Sequence, residues 1–292
     1  MNTPYTTLRD LLRHAITRFN TEGLTFGHGS SNAYDEAAYL LLHKLKLPLD
    51  KLEPFLDAQL LPDEIRQLLD LIERRAQEHV PAAYLTHEAW LGDYRFYVDE
   101  RVIVPRSFIA ELIPEQFSPW VADPDAVHSI LELCTGSGCL AIMLADAFPH
   151  AQIDAVDISA DALAVAKLNV DAYELQDRIT LIESDLYTQL PNKKYDLIIT
   201  NPPYVNSTSM SRLPAEYQHE PQIALAGGAD GMDLVRKIVA SSKERLNKEG
   251  VLIVEIGNEY LHAQTAFAHH ELTWLSTSAG DEAVFLLNAA QL

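Results

Sequence analysis

A chain of 292 residues, 48% hydrophobic and 22% charged, has room for one large globular domain or two smaller ones. Its 42 acidic against 22 basic side chains give a formal charge of −20, which argues against affinity by phosphate neutralisation and suits a strongly basic protein partner. No apolar run reaches the ~20 residues that span a bilayer, and two cysteines with 11 scattered histidines give neither a disulfide framework nor a metal-ligand spacing.

Met1-Asn2-Thr3-Pro4-Tyr5 lacks the basic and apolar regions of a signal peptide, so a cytoplasmic protein is expected. Leu8, Leu11, Leu12, Ala15, Ile16 and Phe19 then recur at helical spacing. Asn32 is placed to cap a second helix through Ala37, Leu40, Leu41 and Leu45. Pro62-Asp63-Glu64 opens a third, whose apolar stripe is Ile65, Leu68, Leu69, Ile72 and Ala76. Three amphipathic helices predict a small helical-bundle domain over residues 1–78. Residues 79–106 read as a linker. Within it a β-hairpin runs from Ala89-Trp90-Leu91 through Gly92-Asp93 to Tyr94–Val98, and an extended piece, Arg101–Arg106, follows.

Beyond Arg106 strands and helices alternate, which predicts an α/β domain over residues 107–292 with a doubly wound parallel sheet. The expected strands are 129–133, 152–157, 179–184, 195–200 and 251–256, with two short ones at 273–276 and 283–287. The expected helices are 139–147, 161–172, 232–246 and 259–268. Residues 205–231 carry no strong pattern. A loop of that length is often a binding loop.

The candidate site lies at the carboxyl ends of the first four strands, where open α/β sheets bind ligands. Glu132-Leu133-Cys134-Thr135-Gly136-Ser137-Gly138 joins the first strand to its helix, and with Ala141 it matches the glycine-x-glycine-x-x-alanine dinucleotide fingerprint. Asp157, at the tip of the second strand, is placed to accept from a ribose hydroxyl pair. That serves a nicotinamide dinucleotide and an adenosyl group equally. Asp185, after the third strand, could meet the amino group of an adenine or could cap a turn.

Strand four ends in Asn201-Pro202-Pro203-Tyr204. Each proline fixes φ and restricts its predecessor, so the backbone is held nearly rigid here. The Asn201 side-chain oxygen and the Pro202 carbonyl become fixed acceptors for a planar –NH2 group, and Tyr204 offers a ring beside them. An ordinary Asn-Pro turn is the other reading of this stretch.

The four features in this order on one sheet edge resemble the Rossmann-like, class I methyltransferases that use S-adenosylmethionine. Asn-Pro-Pro-Tyr resembles the members acting on amide or exocyclic amino nitrogens. The helical N-terminal domain, the hairpin, Val104-Pro105-Arg106, Glu220-Pro221, Gly231-Met232 and Glu255-Ile256-Gly257 resemble the protein glutamine N5-methyltransferases over nearly the whole chain. Pro105-Arg106-Ser107 with Ile109–Ile113 looks like the branch that modifies a glutamine in the third protein of the large ribosomal subunit. The release-factor branch carries Pro-Arg-Pro instead. Phe108 departs from the proline usual in the first branch.

The resemblance implies that S-adenosylmethionine is held by Glu132, Cys134, Thr135, Gly136, Ser137, Gly138, Asp157, Ile158, Asp185, Leu186 and Asn201. It implies catalysis at Asn201, Pro202, Pro203 and Tyr204, with no metal. The implied partner is a basic ribosomal protein, with no direct nucleic-acid specificity and no membrane contact. Rival readings are a release-factor glutamine methyltransferase and a DNA or RNA amino-methyltransferase. A dinucleotide-dependent dehydrogenase gives no reason for Asn-Pro-Pro-Tyr, and a non-catalytic module gives none for a cofactor loop beside an acceptor cup.

Overall fold

A computed structural model describes residues 5–27 and 29–292. The signal-peptide reading rests on residues 1–5, of which the first four lie outside the described residues. The chain forms two compact units, Met1–Ala89 with Pro214–His219, and Trp90–Leu213 with Glu220–Leu292.

The first unit is helical: α1 (Leu8–Thr21), α2 (Ala33–Lys44), α3 (Pro62–Gln77) and the short α4 (Ala82–Thr86). Thr7 and Asp10 close a capping box on α1, and Asn32 caps α2 through the Asp35 N–H. Leu8, Leu11, Leu12, Ala15 and Phe19 of α1 pack on Leu40 and Leu41 of α2 and on Leu68 and Ile72 of α3, the burial predicted from spacing. A cluster of three charged side chains, Arg75, Glu36 and Glu216, is buried in this unit. Arg75 is 1% exposed and donates to Glu36 Oε1 (2.6 Å), Glu216 Oε1 (3.2 Å) and the Thr25 carbonyl (3.1 Å). Glu216 also accepts from the Thr25 N–H (2.9 Å) and bonds His79 Nδ1 (3.2 Å). The middle of the expected loop 205–231 is thereby built into the helical unit.

The hairpin β1 (Ala89–Leu91) and β2 (Tyr94–Phe96) precedes the second unit's sheet. β2 stops two residues before the expected Val98. Asn169 explains this, since its side chain accepts from the Tyr97 N–H (2.7 Å) and donates to the Tyr97 carbonyl (3.0 Å), replacing a ladder partner. The sheet follows through β3 (Ser129–Leu133), α5 (Cys139–Ala147), β4 (Gln152–Asp157), α6 (Ala160–Ala172), β5 (Ile179–Glu183), β6 (Tyr195–Thr200), α7 (Ser207–Met210), α8 (Asp233–Arg245), β7 (Leu246–Glu255), α9 (Tyr260–Ala266), β8 (Thr273–Thr277) and β9 (Gly280–Asn288).

Among the described residues the strand order is β5-β4-β3-β6-β7-β9-β8, parallel through β7 and antiparallel at β9 and β8. This is the expected Rossmann-like α/β sheet. β7 begins at Leu246, earlier than expected, because Leu246 already pairs with Tyr195 before a register shift carries the chain to Leu197↔Val251. Alternate strand residues serve opposite faces. Ile130, Ile153, Leu197 and Ile253 pack with α5, while Leu131, Leu133, Ile198 and Leu252 pack with α8. Burying each such side chain contributes about 1.5–3 kcal/mol, and a sheet covered on both faces holds its strand ends in fixed register. Among the described residues no helix is long and apolar enough to cross a membrane.

Candidate active site

The register sets Leu133 level with Val156 and with Thr200, and Thr200 level with Val254. The turns after β3, β4, β6 and β7 therefore share one sheet edge, with the β3/β6 reversal of strand order at its centre. The Thr200 hydroxyl donates to the Leu133 carbonyl (3.0 Å), tying β6 to β3 just before the acceptor stretch.

A cleft with about 850 Å³ of empty space, partly open to solvent, runs along this edge. Cys134, Gly136, Asp157, Ile158, Asp185, Leu186, Asn201 and Pro203 all line it, so sequence positions 134 to 203 converge as expected. Asp157 is fixed by two backbone donors: the Gly136 N–H to Oδ2 (2.9 Å) and the Ser159 N–H to Oδ1 (3.0 Å). Burial pushes its carboxyl above the ordinary range, and these N–H bonds pull the other way. Each oxygen keeps lone-pair capacity for a hydroxyl. The turn after β5 is closed by backbone, the Thr188 N–H donating to the Asp185 carbonyl (3.1 Å). Among the described residues the exposed Asp185 carboxylate bonds nothing, so it is no cap.

A smaller recess adjoins the cleft and is lined by Glu132, Thr135, Ser137, Ser107 and Arg106. Ile103, Cys134, Gly136 and Asn201 border both spaces. Glu132 is buried and accepts from the Thr135 hydroxyl (2.5 Å); desolvation pushes its carboxyl up to about 8. Gly138 borders neither space. It caps α5 and lies against α6, where an added Cβ would stand 3.2 Å from Ala166 Cβ.

Asn201 is half-buried where the two spaces meet, followed by the buried Pro202 and Pro203. Among the described residues neither the Asn201 carboxamide nor the Pro202 carbonyl has a hydrogen-bond partner. Asn201 thus stands unpartnered at both spaces, whereas Pro202 and Tyr204, expected in the site, line neither.

Tyr204 is clamped along its length. Gly231 has φ +79°, and a Cβ there would lie 2.2 Å from the Tyr204 carbonyl oxygen. Gly257 has φ +52°, and a Cβ there would stand 2.5 Å from Cε2 of the ring. The Tyr204 hydroxyl donates to Glu255 Oε1 (3.3 Å). Here Gly231-Met232 and Glu255-Ile256-Gly257 acquire a physical reason.

Two buried acids, Glu220 and Glu255, hold the walls of the site. Glu255 is a lone carboxylate in the apolar run of β7, buried, with its carboxyl pushed up to about 7 by desolvation. Glu220 is buried and accepts from Arg106 Nη1 (2.5 Å) and Nη2 (2.7 Å) and from the Val104 N–H (2.9 Å). It joins two cleft walls, Arg101 to Ile103 and Pro221 with Ile223 and Ala224, so residues expected in a linker border the cleft. A buried acid needs a partner, and the acids at 220 and 255 were signals of that need. Their partners, 114 and 148 residues away, had no signal. Among the described residues no group of three or more His, Cys, Asp or Glu could hold a metal ion.

Residues 120–216 match the family model of the methyltransferase small domain. The chain is 62% identical to the ribosomal protein uL3 glutamine methyltransferase of Burkholderia pseudomallei, over 99% of this chain and 97% of that one. It is 57% identical to the protein of the same name from Bordetella pertussis, over 98% of this chain and 96% of that one. It is 56% identical to that of Neisseria meningitidis, over 98% and 94%. Among solved structures, the hMettl16 catalytic domain in complex with a MAT2A 3′UTR hairpin is similar in fold. Its TM-score is 0.51 at 15% identity, over 80% of this chain and 84% of that one.

Proposed function

The chain belongs to the ribosomal protein uL3 glutamine methyltransferases, and from that membership we propose that Asn201 and Pro202 are the acceptor cup with which it works. The enzyme transfers a methyl group from S-adenosylmethionine to the side-chain amide nitrogen of a glutamine in that ribosomal protein. The residues present fit the cofactor: the cleft offers the carboxylates of Asp157 and Asp185 to hydroxyl and amino donors, between the apolar Ile158 and Leu186. S-adenosylmethionine, when bound, supplies an electrophilic methyl on a sulfonium.

The protein's task is the nucleophile. An amide nitrogen is weak because its lone pair is delocalised into the carbonyl, as the ~18–20 kcal/mol rotation barrier attests. The Asn201 oxygen and the Pro202 carbonyl accept the two N–H bonds and turn the lone pair toward the methyl. As the nitrogen becomes positive these bonds become charge-assisted, so they strengthen toward the transition state; the S–CH3 bond breaks to leave a neutral thioether, and one of the held N–H protons passes to water. Tyr204 packs on the glutamine side chain. The observation that carries this reading is the unpartnered Asn201 carboxamide at a proline-stiffened strand end where cleft and recess meet.

The partner is a basic ribosomal protein, drawn by a chain of net charge −20, and the helical unit, residues 1–78 in outline, serves docking. The reaction is tested by offering labelled cofactor with purified uL3, a release factor and duplex DNA, then digesting to locate the methyl group. Label on a uL3 glutamine is expected. Label on the release factor alone would move the substrate while keeping the amide chemistry, and label on DNA would overturn both.

A further inference from the structure

The Glu255 carboxylate is held by neutral donors. Oε2 accepts from the Ser107 hydroxyl (2.5 Å) and the Ile109 N–H (3.3 Å), and Oε1 accepts from the Tyr204 hydroxyl (3.3 Å). A buried carboxylate without a cation is a poor stabilising device, since an apolar residue of similar volume in β7 would avoid the desolvation cost. Its geometry serves something else. One oxygen is pinned by Ser107 at the start of a 3₁₀ turn, Phe108–Glu111, whose Ile109 and Ala110 are buried. The other oxygen is thereby aimed at Tyr204. The Tyr204 ring already meets the Gly257 backbone on one side, so fixing the hydroxyl leaves it one orientation.

We propose that Ser107 and Glu255 are positioning residues for the methyl transfer, acting through the Tyr204 hydroxyl to hold the ring against the acceptor glutamine. This rests on the reading of Tyr204 as the residue that packs on the substrate side chain. Glu255 borders neither cleft nor recess, while Ser107 lines the recess and turns its hydroxyl to Glu255. The relay orders the ring when the protein folds, so that ordering is not charged against substrate binding. Ser107 thus ties the stretch after Arg106 to the sheet edge bearing the cup, across 148 residues of sequence.

The test is a double-mutant cycle in the full-length enzyme, Ser107→Ala against Tyr204→Phe, with uL3 as substrate. Ser107→Ala is expected to lower kcat about tenfold, the effect of losing one hydrogen bond, with affinity for S-adenosylmethionine within about twofold of wild type. The effect should vanish in the Tyr204→Phe background, and Ser107→Thr should restore turnover. A purely structural role would lower Tm and leave the two substitutions additive. A wild-type kcat for Ser107→Ala, or a loss undiminished when the Tyr204 hydroxyl is absent, overturns the proposal. Should Ser107→Ala not fold, Glu255→Gln in the same cycle carries the same expectation. Asn201→Ala, run alongside, separates the two ideas: an active Asn201 variant defeats the cup, whereas additivity defeats only the relay.

Discussion

Glu132 and Glu255 are desolvated beside the site, with carboxyls near 8 and 7 against an ordinary 4.5. Each binds its proton more tightly folded than unfolded. The stability they contribute is therefore complete below about pH 4.5 and declines as pH rises through 7 and 8, where the buried groups must ionise. Denaturant unfolding at pH 5 and pH 9 should show a loss on the order of a few kcal/mol, and Glu132→Gln should flatten the slope between pH 5 and 8. A stability that rises across this range would contradict the assignment of these shifts to burial. At this scale Asn201 and Asp157 were legible, because prolines and strand ends fix where a side chain stands. Arg75 was half legible. It falls on the same helical stripe as Leu68 and Ile72, yet nothing in the sequence named Glu36 and Glu216 as its partners. Pairings between distant residues are decided by tertiary packing, which has no period to read.

Elements were legible where the periodicity was strong. Strands β3, β4, β5 and β6 lie where their apolar runs put them, whereas β7 starts early at Leu246, in a polar stretch that only its pairing with Tyr195 makes a strand. Residues 205–231 were not, because their order comes from single contacts. The Val205 N–H donates to the Leu225 carbonyl (2.8 Å), the Gly227 N–H to the Val205 carbonyl (2.9 Å), and Gly231 closes on Tyr204. These contacts fix the loop's two ends against the residues that follow the cup. Gly257→Ala tests the clamp directly. Its positive φ costs about 1–2 kcal/mol with a Cβ, and that Cβ would also push the Tyr204 ring. Turnover should fall at least about tenfold, one decade per ~1.4 kcal/mol, while cofactor titration stays near wild type. Unchanged kcat would show that the ring's position does not matter.

For the whole molecule, the excess of 42 acidic over 22 basic side chains bears on association more than on fold. If the acidic field steers a basic ribosomal protein, kcat/KM toward uL3 should drop as salt rises, since exposed charges are screened beyond ~8 Å at physiological ionic strength. The single-turnover rate of the preformed complex should stay constant, and a salt-independent kcat/KM would remove the electrostatic argument. The order of helices then sheet was legible from apolar periodicity and the switch to strand–helix alternation, but the return of Pro214–His219 into the helical unit was not, because it depends on one buried acid, Glu216, finding Arg75. If the Asn201 carboxamide prepares the acceptor amide for attack, its removal must slow the chemical step. The most direct measurement is the single-turnover rate of methyl transfer to uL3 by Asn201→Ala, taken with S-adenosylmethionine saturating and its affinity measured by calorimetry. Loss of one transition-state hydrogen bond predicts a rate lower by ~10²–10³ with cofactor affinity changed only a few fold; a variant that methylates at the wild-type rate would contradict the claim.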